Sequence, residues 1–113
     1  MVDEVKQIIV IRKDLKMRKG KAIAQGAHAS MKVLMDQSDL LKLENNEWVW
    51  QLQLNEREPL FYWLKGIFTK IVVGVDSLEE LEELESIASK KGILVSKITD
   101  KGRTEFNDNP TVT

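Results

Sequence analysis

The chain has 113 residues, 42% of them hydrophobic and 31% charged, with a formal net charge of -1 and no cysteine. That length allows one compact domain with a real core and is too short for two. The missing cysteine excludes disulfides, thiolate metal sites and cysteine nucleophiles, and the near-neutral total excludes a globally basic nucleic-acid binder. No apolar run approaches the length of a membrane span, and the first residues lack the apolar region of a signal peptide, so the expectation is a single cytoplasmic domain over 1–113.

After a short polar lead-in, residues 7–11 form an unbroken Ile/Val run that predicts a strand buried on both faces. Residues 12–20 form a loop that crowds cations: Arg12, Lys13, Lys16, Arg18 and Lys19 stand against one acid, Asp14. A helix follows over about 21–35, with Ile23, Ala27, Met31 and Leu34 at helical spacing and small residues that permit close packing on a sheet. Cations at a helix start oppose the macrodipole, so the crowding reads either as solvated charge or as a phosphate site.

Residues 36–59 are the least legible. Leu40, Leu41 and Leu43 fit a helix extension or a short new helix, and Trp48 and Trp50 fit a strand or a helical turn. Asn45-Asn46 reads as a turn. Pro59 fits the first turn of a helix that runs through Trp63 and stops at Gly66. Trp63 is expected in the core rather than against a base.

Residues 69–75 predict a second strand. Ser77 and Glu80 then form a capping box, and Leu78, Leu81, Leu84 and Ala88 supply the apolar stripe of a helix. Its acidic face is read as solvated, and Lys90-Lys91-Gly92 ends it as the dipole prefers. Residues 93–98 predict a third strand, and a turn at 100–103 leads to Thr104 and a polar loop. Strand and helix alternate, so the architecture is α/β, with a mainly parallel sheet and helices on its faces.

In such folds the site lies at the carboxyl ends of the strands. The loops after the first and third strands should therefore converge. The first brings cations and helix N–H groups. The second brings a carboxylate, Asp100, and a hydroxyl, Thr104. A carboxylate can orient or deprotonate a water, and an ammonium can stabilise an oxyanion. A lone Asp after a strand is also a common turn former. The single histidine, His28, has no cysteine to join it in a zinc site, and the Lys-Gly-Lys run lacks the spacing of a P-loop. Neither a metal nor a cofactor is expected.

Three blocks now carry a resemblance. The first is the apolar strand followed by Arg12-x-Asp14-Leu15-Lys16-Met17-x-Lys19-Gly20-Lys21-x-x-Ala24-Gln25-x-x-His28. The second is Lys70-Ile71-Val72-Val73 followed by Ser77-x-Glu79-Glu80-Leu81. The third is Ile98-x-Asp100-x-Gly102-Arg103-Thr104-Glu105 followed by Thr111-Val112-Thr113. In their order these resemble the type 2 peptidyl-tRNA hydrolases, the archaeal and eukaryotic kind that also occurs in scattered bacteria and phages.

The resemblance implies a three-layer α/β/α fold on a small parallel or mixed sheet. It also implies metal-independent cleavage of the ester between peptide and tRNA. Its catalytic residues fall on Lys19, Asp100, Thr104 and Thr113. Its tRNA contacts fall on Lys16, Arg18, Lys21, Gln25, His28 and Arg103. Two departures stand out: a longer, more aromatic middle segment, and a final sheet strand that is missing or truncated after Thr113. The second points to a homodimer or to strand exchange through an open sheet edge. The alternative on the same fold is a non-catalytic tRNA- or RNA-binding module, or a protein-interaction module.

Overall fold

The computed structural model describes residues 4–100 and 111–113. Its elements, in chain order, are strand β1 (Gln7–Arg12), helix α1 (Lys19–Asp36), strands β2 (Ser38–Lys42) and β3 (Trp48–Leu52), and helix α2 (Pro59–Lys65). Strand β4 (Lys70–Val75), helix α3 (Leu78–Lys90) and the short strands β5 (Thr99–Asp100) and β6 (Thr111–Val112) complete it. This is a small α/β fold that mixes parallel and antiparallel pairing.

Strands β1 and β4 are parallel and in register from Gln7 opposite Lys70 to Arg12 opposite Val75. The connection between them carries α1, as a parallel crossover requires. Helix α1 packs on β1 through its small residues, and at Gly26 even a methyl group would touch Ile9. Gln7 on β1 is tied to Ser30 on α1 by two hydrogen bonds, one to the backbone and one to the hydroxyl. Among the described residues the buried apolar core is small: Ile9, Trp63 and Val75. Trp63 also satisfies its indole N–H, which donates to the Thr69 carbonyl at 2.8 Å.

Local rules are followed at both short-range helix boundaries that the sequence marks. Pro59 sits in the first turn of α2, and Gly66 stands at its end. The Ser77 hydroxyl accepts from the Glu80 N–H at 3.1 Å. The Glu80 carboxylate reaches back to the N–H of Asp76, one residue before the cap. By contrast, α1 starts at Lys19 with no side-chain cap and no acid in its first turn.

The middle segment is a hairpin. Glu44 and Glu47 are joined across Asn45 and Asn46, whose φ angles are both positive, at 59° and 64°. That is the backbone of a primed two-residue turn, whose twist suits the strands it joins. The leucines at 40 and 41 therefore belong to a strand and not to a helix extension.

The expected third strand is a correction. Residues 93–98 are strand-like in composition, but pairing begins only at Thr99–Asp100, which run antiparallel to Thr111–Val112. Composition makes a strand only where a ladder partner exists, and among the described residues only Ile98, at the end of 93–98, meets one, accepting from the Thr113 N–H. That segment is held instead by side chains. The Ser96 hydroxyl donates to Asp36 at 2.6 Å, and Lys97 reaches Glu82 and Glu85.

The outer edge of β1 is also informative. The N–H groups of Gln7 and Lys13 donate to Thr69 and Val75, on the β4 side. Alternate amides point the other way, and there Arg12 N–H donates to the Thr113 carbonyl at 3.3 Å. Residues 111–113 thus abut the end of that edge. Among the described residues, Ile8 and Val10 have no strand beside them on that side.

Candidate active site

Helix α1 places Lys21 and Gln25 four residues apart, one above the other on the same face. Both reach the same oxygen of Asp100. The Lys21 ammonium lies 2.7 Å from Oδ1, and the Gln25 amide donates to Oδ1 at 3.1 Å. The Lys21 and Asp100 side chains are each only 13% exposed. The amide oxygen of Gln25 in turn accepts from the Thr113 hydroxyl at 3.1 Å. Gln25 is 2% exposed and Thr113 5%, so this end of the chain of contacts is out of water.

The polarity of the chain is chemically consistent. An ammonium and an amide NH2 can only donate, and a carboxylate can only accept. The remaining amide oxygen then needs a donor, which the threonine hydroxyl supplies. Burial makes each link costly to remove, because a buried group that loses its partner keeps its desolvation cost.

Arg12 fastens the surroundings. One guanidinium nitrogen donates to the Val112 carbonyl at 3.0 Å. The rest of the group grips Asp14 with two hydrogen bonds, from Nε at 3.0 Å and from the terminal nitrogen at 2.5 Å. The hydrogen bond from Arg12 is the main reason that the Asp14 carboxyl is held below its ordinary value, and the same bond holds the guanidinium above its own. Arg12 therefore joins the start of the basic loop to β6, and Thr113 N–H adds a bond to the Ile98 carbonyl at 3.1 Å.

The site residues expected from sequence divide as follows. Asp100 and Thr113 are joined through Gln25. Among the described residues, the cation on Asp100 is Lys21. Lys19 is exposed at the first residue of α1, beside the exposed Arg18 and Lys16. Gln25 is buried and committed to its two partners, so it meets tRNA only if that network opens. His28 is exposed on α1, one turn further along the face of Lys21 and Gln25. Arg103 and Thr104 lie outside the described residues.

Sequence reasoning counted Arg12 only as one more positive charge. The signal for its tether was the Arg12-x-Asp14 spacing at a strand end. No comparable signal chooses between Lys19 and Lys21, because both precede or open the same helix. The choice depends on which of them shares a face with Gln25.

The carboxyl end of β1 thus gathers an ion pair of low exposure, a buried amide and hydroxyl, and a helix N-terminus rimmed with exposed cations. Helix N–H groups and cations favour an anionic ligand, and the carboxylate beside them can hold a water. Among the described residues, no three His, Cys, Asp or Glu side chains converge as a metal site would need, and no helix is long and apolar enough to cross a membrane.

Comparison with known proteins covers most of the chain. Residues 5–113 match the family described as Peptidyl-tRNA hydrolase PTH2. A peptidyl-tRNA hydrolase of Aeropyrum pernix is 39% identical over 101 residues, which are 89% of this chain and 73% of that protein. One of Sulfurisphaera tokodaii is 37% identical over 101 residues, 89% of this chain and 74% of the relative. One of Nanoarchaeum equitans is 38% identical over 103 residues, 91% of this chain and 76% of the relative.

Proposed function

Because the chain belongs to the PTH2 family of peptidyl-tRNA hydrolases, we propose that it hydrolyses the ester joining a peptide to the 3′ end of its tRNA, as a single cytoplasmic domain. The observation that carries this reading is the Lys21–Asp100 pair at 2.7 Å, set beside a cationic helix start.

In this reading Asp100 positions a water and draws off its proton as the water attacks the ester carbonyl carbon. The carbonyl oxygen gains charge, and an ammonium at the start of α1 stabilises it. That role, expected for Lys19, passes to Lys21, which is the ammonium in contact with Asp100. Collapse of the tetrahedral intermediate expels the tRNA ribose oxygen, which takes up a proton, and leaves the peptide as a carboxylate. Gln25 and Thr113 hold Asp100 in place. Lys16, Arg18 and Lys19, with Arg103 and His28, meet tRNA phosphates, while Thr104 completes the hydrogen bonding around the water.

The test is cleavage of a purified peptidyl-tRNA in the presence of a chelator, with Lys19→Ala and Lys21→Ala compared. Lys21→Ala should lower kcat by about 10²-fold or more, the usual scale for one lost oxyanion donor. Lys19→Ala should mainly weaken tRNA binding. Undiminished turnover in Lys21→Ala would remove the assignment. Salt-dependent tRNA binding without any cleavage by the wild type would leave a binding module on the same fold.

A homodimer, or strand exchange through the edge of β1 that no described strand covers, belongs to this reading of the partners.

A further inference from the structure

Helix α1 carries its charges against its own dipole at both ends. Its first turn holds cations and no acid, and its last helical residue is an acid, Asp36, in a turn with no basic residue. A helix C-terminus disfavours an acid. Lys32, one turn earlier, does little to offset this. An i,i+4 pair with the cation first is the weaker order, and an exposed pair contributes little. Helix stability therefore does not account for Asp36.

The contacts of Asp36 point elsewhere. Both of its oxygens accept from the Lys32 ammonium at 3.0 Å, which fixes the carboxylate. Its Oδ2 also accepts from the Ser96 hydroxyl at 2.6 Å. Ser96 comes four residues before Asp100. Lys21, Gln25, Lys32 and Asp36 follow one another at spacings of four, seven and four, so they share one stripe of α1. That stripe meets residues 96–100 twice. Lys21 and Gln25 hold Asp100 near its start, and Asp36 holds Ser96 at its end.

The segment 96–100 thus runs antiparallel to the helix, fastened at each end. The lengths agree. From Gln25 to Asp36 the helix rises about 16 Å. From Ser96 to Asp100 an extended chain covers about 13 Å, and the side chains span the difference. Contacts alternate along the segment as an extended chain requires: Ser96 and Asp100 meet α1, while Lys97 meets Glu82 and Glu85 on α3. The ladder that holds Asp100 is short, since β5 is two residues long and pairs with the two residues of β6. A carboxylate on so short a strand depends on how the chain before it is held.

We propose that Asp36 is a positioning residue for the reaction: through Ser96 it fixes the far end of 96–100 on α1 and so sets where the Asp100 carboxylate stands. The inference rests on the hydrolytic reading of Asp100. Asp36 acts through Asp100 and does not touch the ester. A small displacement of a reacting group slows a reaction sharply, by up to about 10²-fold for 1 Å. With Lys21 and Gln25 still in place, loss of this one tether should cost about 5- to 10-fold, the equivalent of one net hydrogen bond.

The experiment is single-turnover cleavage of peptidyl-tRNA at saturating enzyme, with filter binding of tRNA, on the full chain. Asp36→Ala and Ser96→Ala should each slow cleavage about 5- to 10-fold and leave tRNA affinity unchanged. The double variant should be no slower than the slower single one, because both remove the same tether. Ser96→Thr keeps the hydroxyl and should recover most of the rate that Ser96→Ala loses. Unfolding of some chains would lower the amplitude of cleavage and not its rate, so a merely structural loss is distinguishable.

A second readout needs no substrate. The Gln25 side-chain amide donates to Asp100, so its nitrogen–proton NMR resonances report where that carboxylate stands. In Asp36→Ala and Ser96→Ala they should move toward their positions in Asp100→Ala. Undiminished cleavage by Asp36→Ala would overturn the proposal. So would additive losses in the double variant, or Gln25 resonances that stay in place. Failure of the hydrolytic reading looks different: the wild type would cleave nothing, while the Gln25 resonances would still move with Asp36.

Discussion

Among the described residues, Asp100 receives two donors on one oxygen, and both come from a single helix face. Replacing it with Asn keeps the shape and removes the charge. Asp100→Asn should reduce turnover by about 10²–10⁴-fold, the range for a positioned acid–base group. Binding of tRNA should hold or tighten slightly, because a carboxylate near phosphates repels them. Filter binding alongside single-turnover cleavage separates these effects. A turn-forming Asp would behave differently, since Asn serves turns equally well and turnover would persist. One step further along the network, Thr113→Val removes the donor that the buried Gln25 amide oxygen has among the described residues. Leaving that oxygen unpaired should destabilise the fold by about 1–3 kcal/mol, readable by urea denaturation.

The elements differ in how much of themselves they announce in sequence. Helix α3 is legible because its cap, its apolar stripe and its stop are all short-range features. Ser77→Ala should cost about 1 kcal/mol for that reason, measured as a shift in the denaturation midpoint at constant slope. The start of α1 was legible through a broken rule: its first turn carries cations where acids are preferred. Lys16→Ala and Arg18→Ala should each flatten the salt dependence of tRNA binding by somewhat under one unit of log–log slope per lost phosphate contact. An unaltered slope in both variants would detach this loop from tRNA. The hairpin was not legible, because Leu and Trp at its spacing suit a helix and a strand equally, and only the double left-handed turn at Asn45-Asn46 decides between them. Residues 93–98 misled for the opposite reason. Their apolar content was strong, but a strand is a relation between segments, and its neighbour is not encoded in it. Which lysine contacts Asp100 was not legible either: charge and proximity in sequence were visible, and a shared helix face with Gln25 was not weighed.

At the scale of the whole molecule, acid should loosen the join between the basic loop and the end of the described chain. The Asp14 carboxyl titrates below its ordinary value of 3.8, chiefly because Arg12 donates to it, and Asp36 does so because Ser96 and then Lys32 donate. Folded-state values below the unfolded ones mean that these contributions are complete above the unfolded value, and they fade as pH falls through the depressed folded values. Stability measured by denaturant from about pH 6 down to about pH 2 should therefore decline, and Asp14→Asn should flatten part of that decline. Arg12 remains charged throughout, so the change belongs to the carboxylates.

The tethers of the site join residues very far apart along the chain. Lys21 and Asp100 are separated by 79 positions, Gln25 and Thr113 by 88, and Arg12 and Val112 by 100. Closing loops of that size is only slowly more expensive with length, about 0.6 kcal/mol per doubling, but it is slow in time. Strand β1 and helix α1 leave the ribosome first and can pair with β4 once that strand emerges. The Asp100 network has to wait for Thr113. A chain still being synthesised therefore carries the cationic tRNA-facing helix long before it carries an assembled Asp100 site, so an enzyme whose proposed substrate is unfinished peptide on tRNA would acquire its cutting power only after its own translation has run through Thr113.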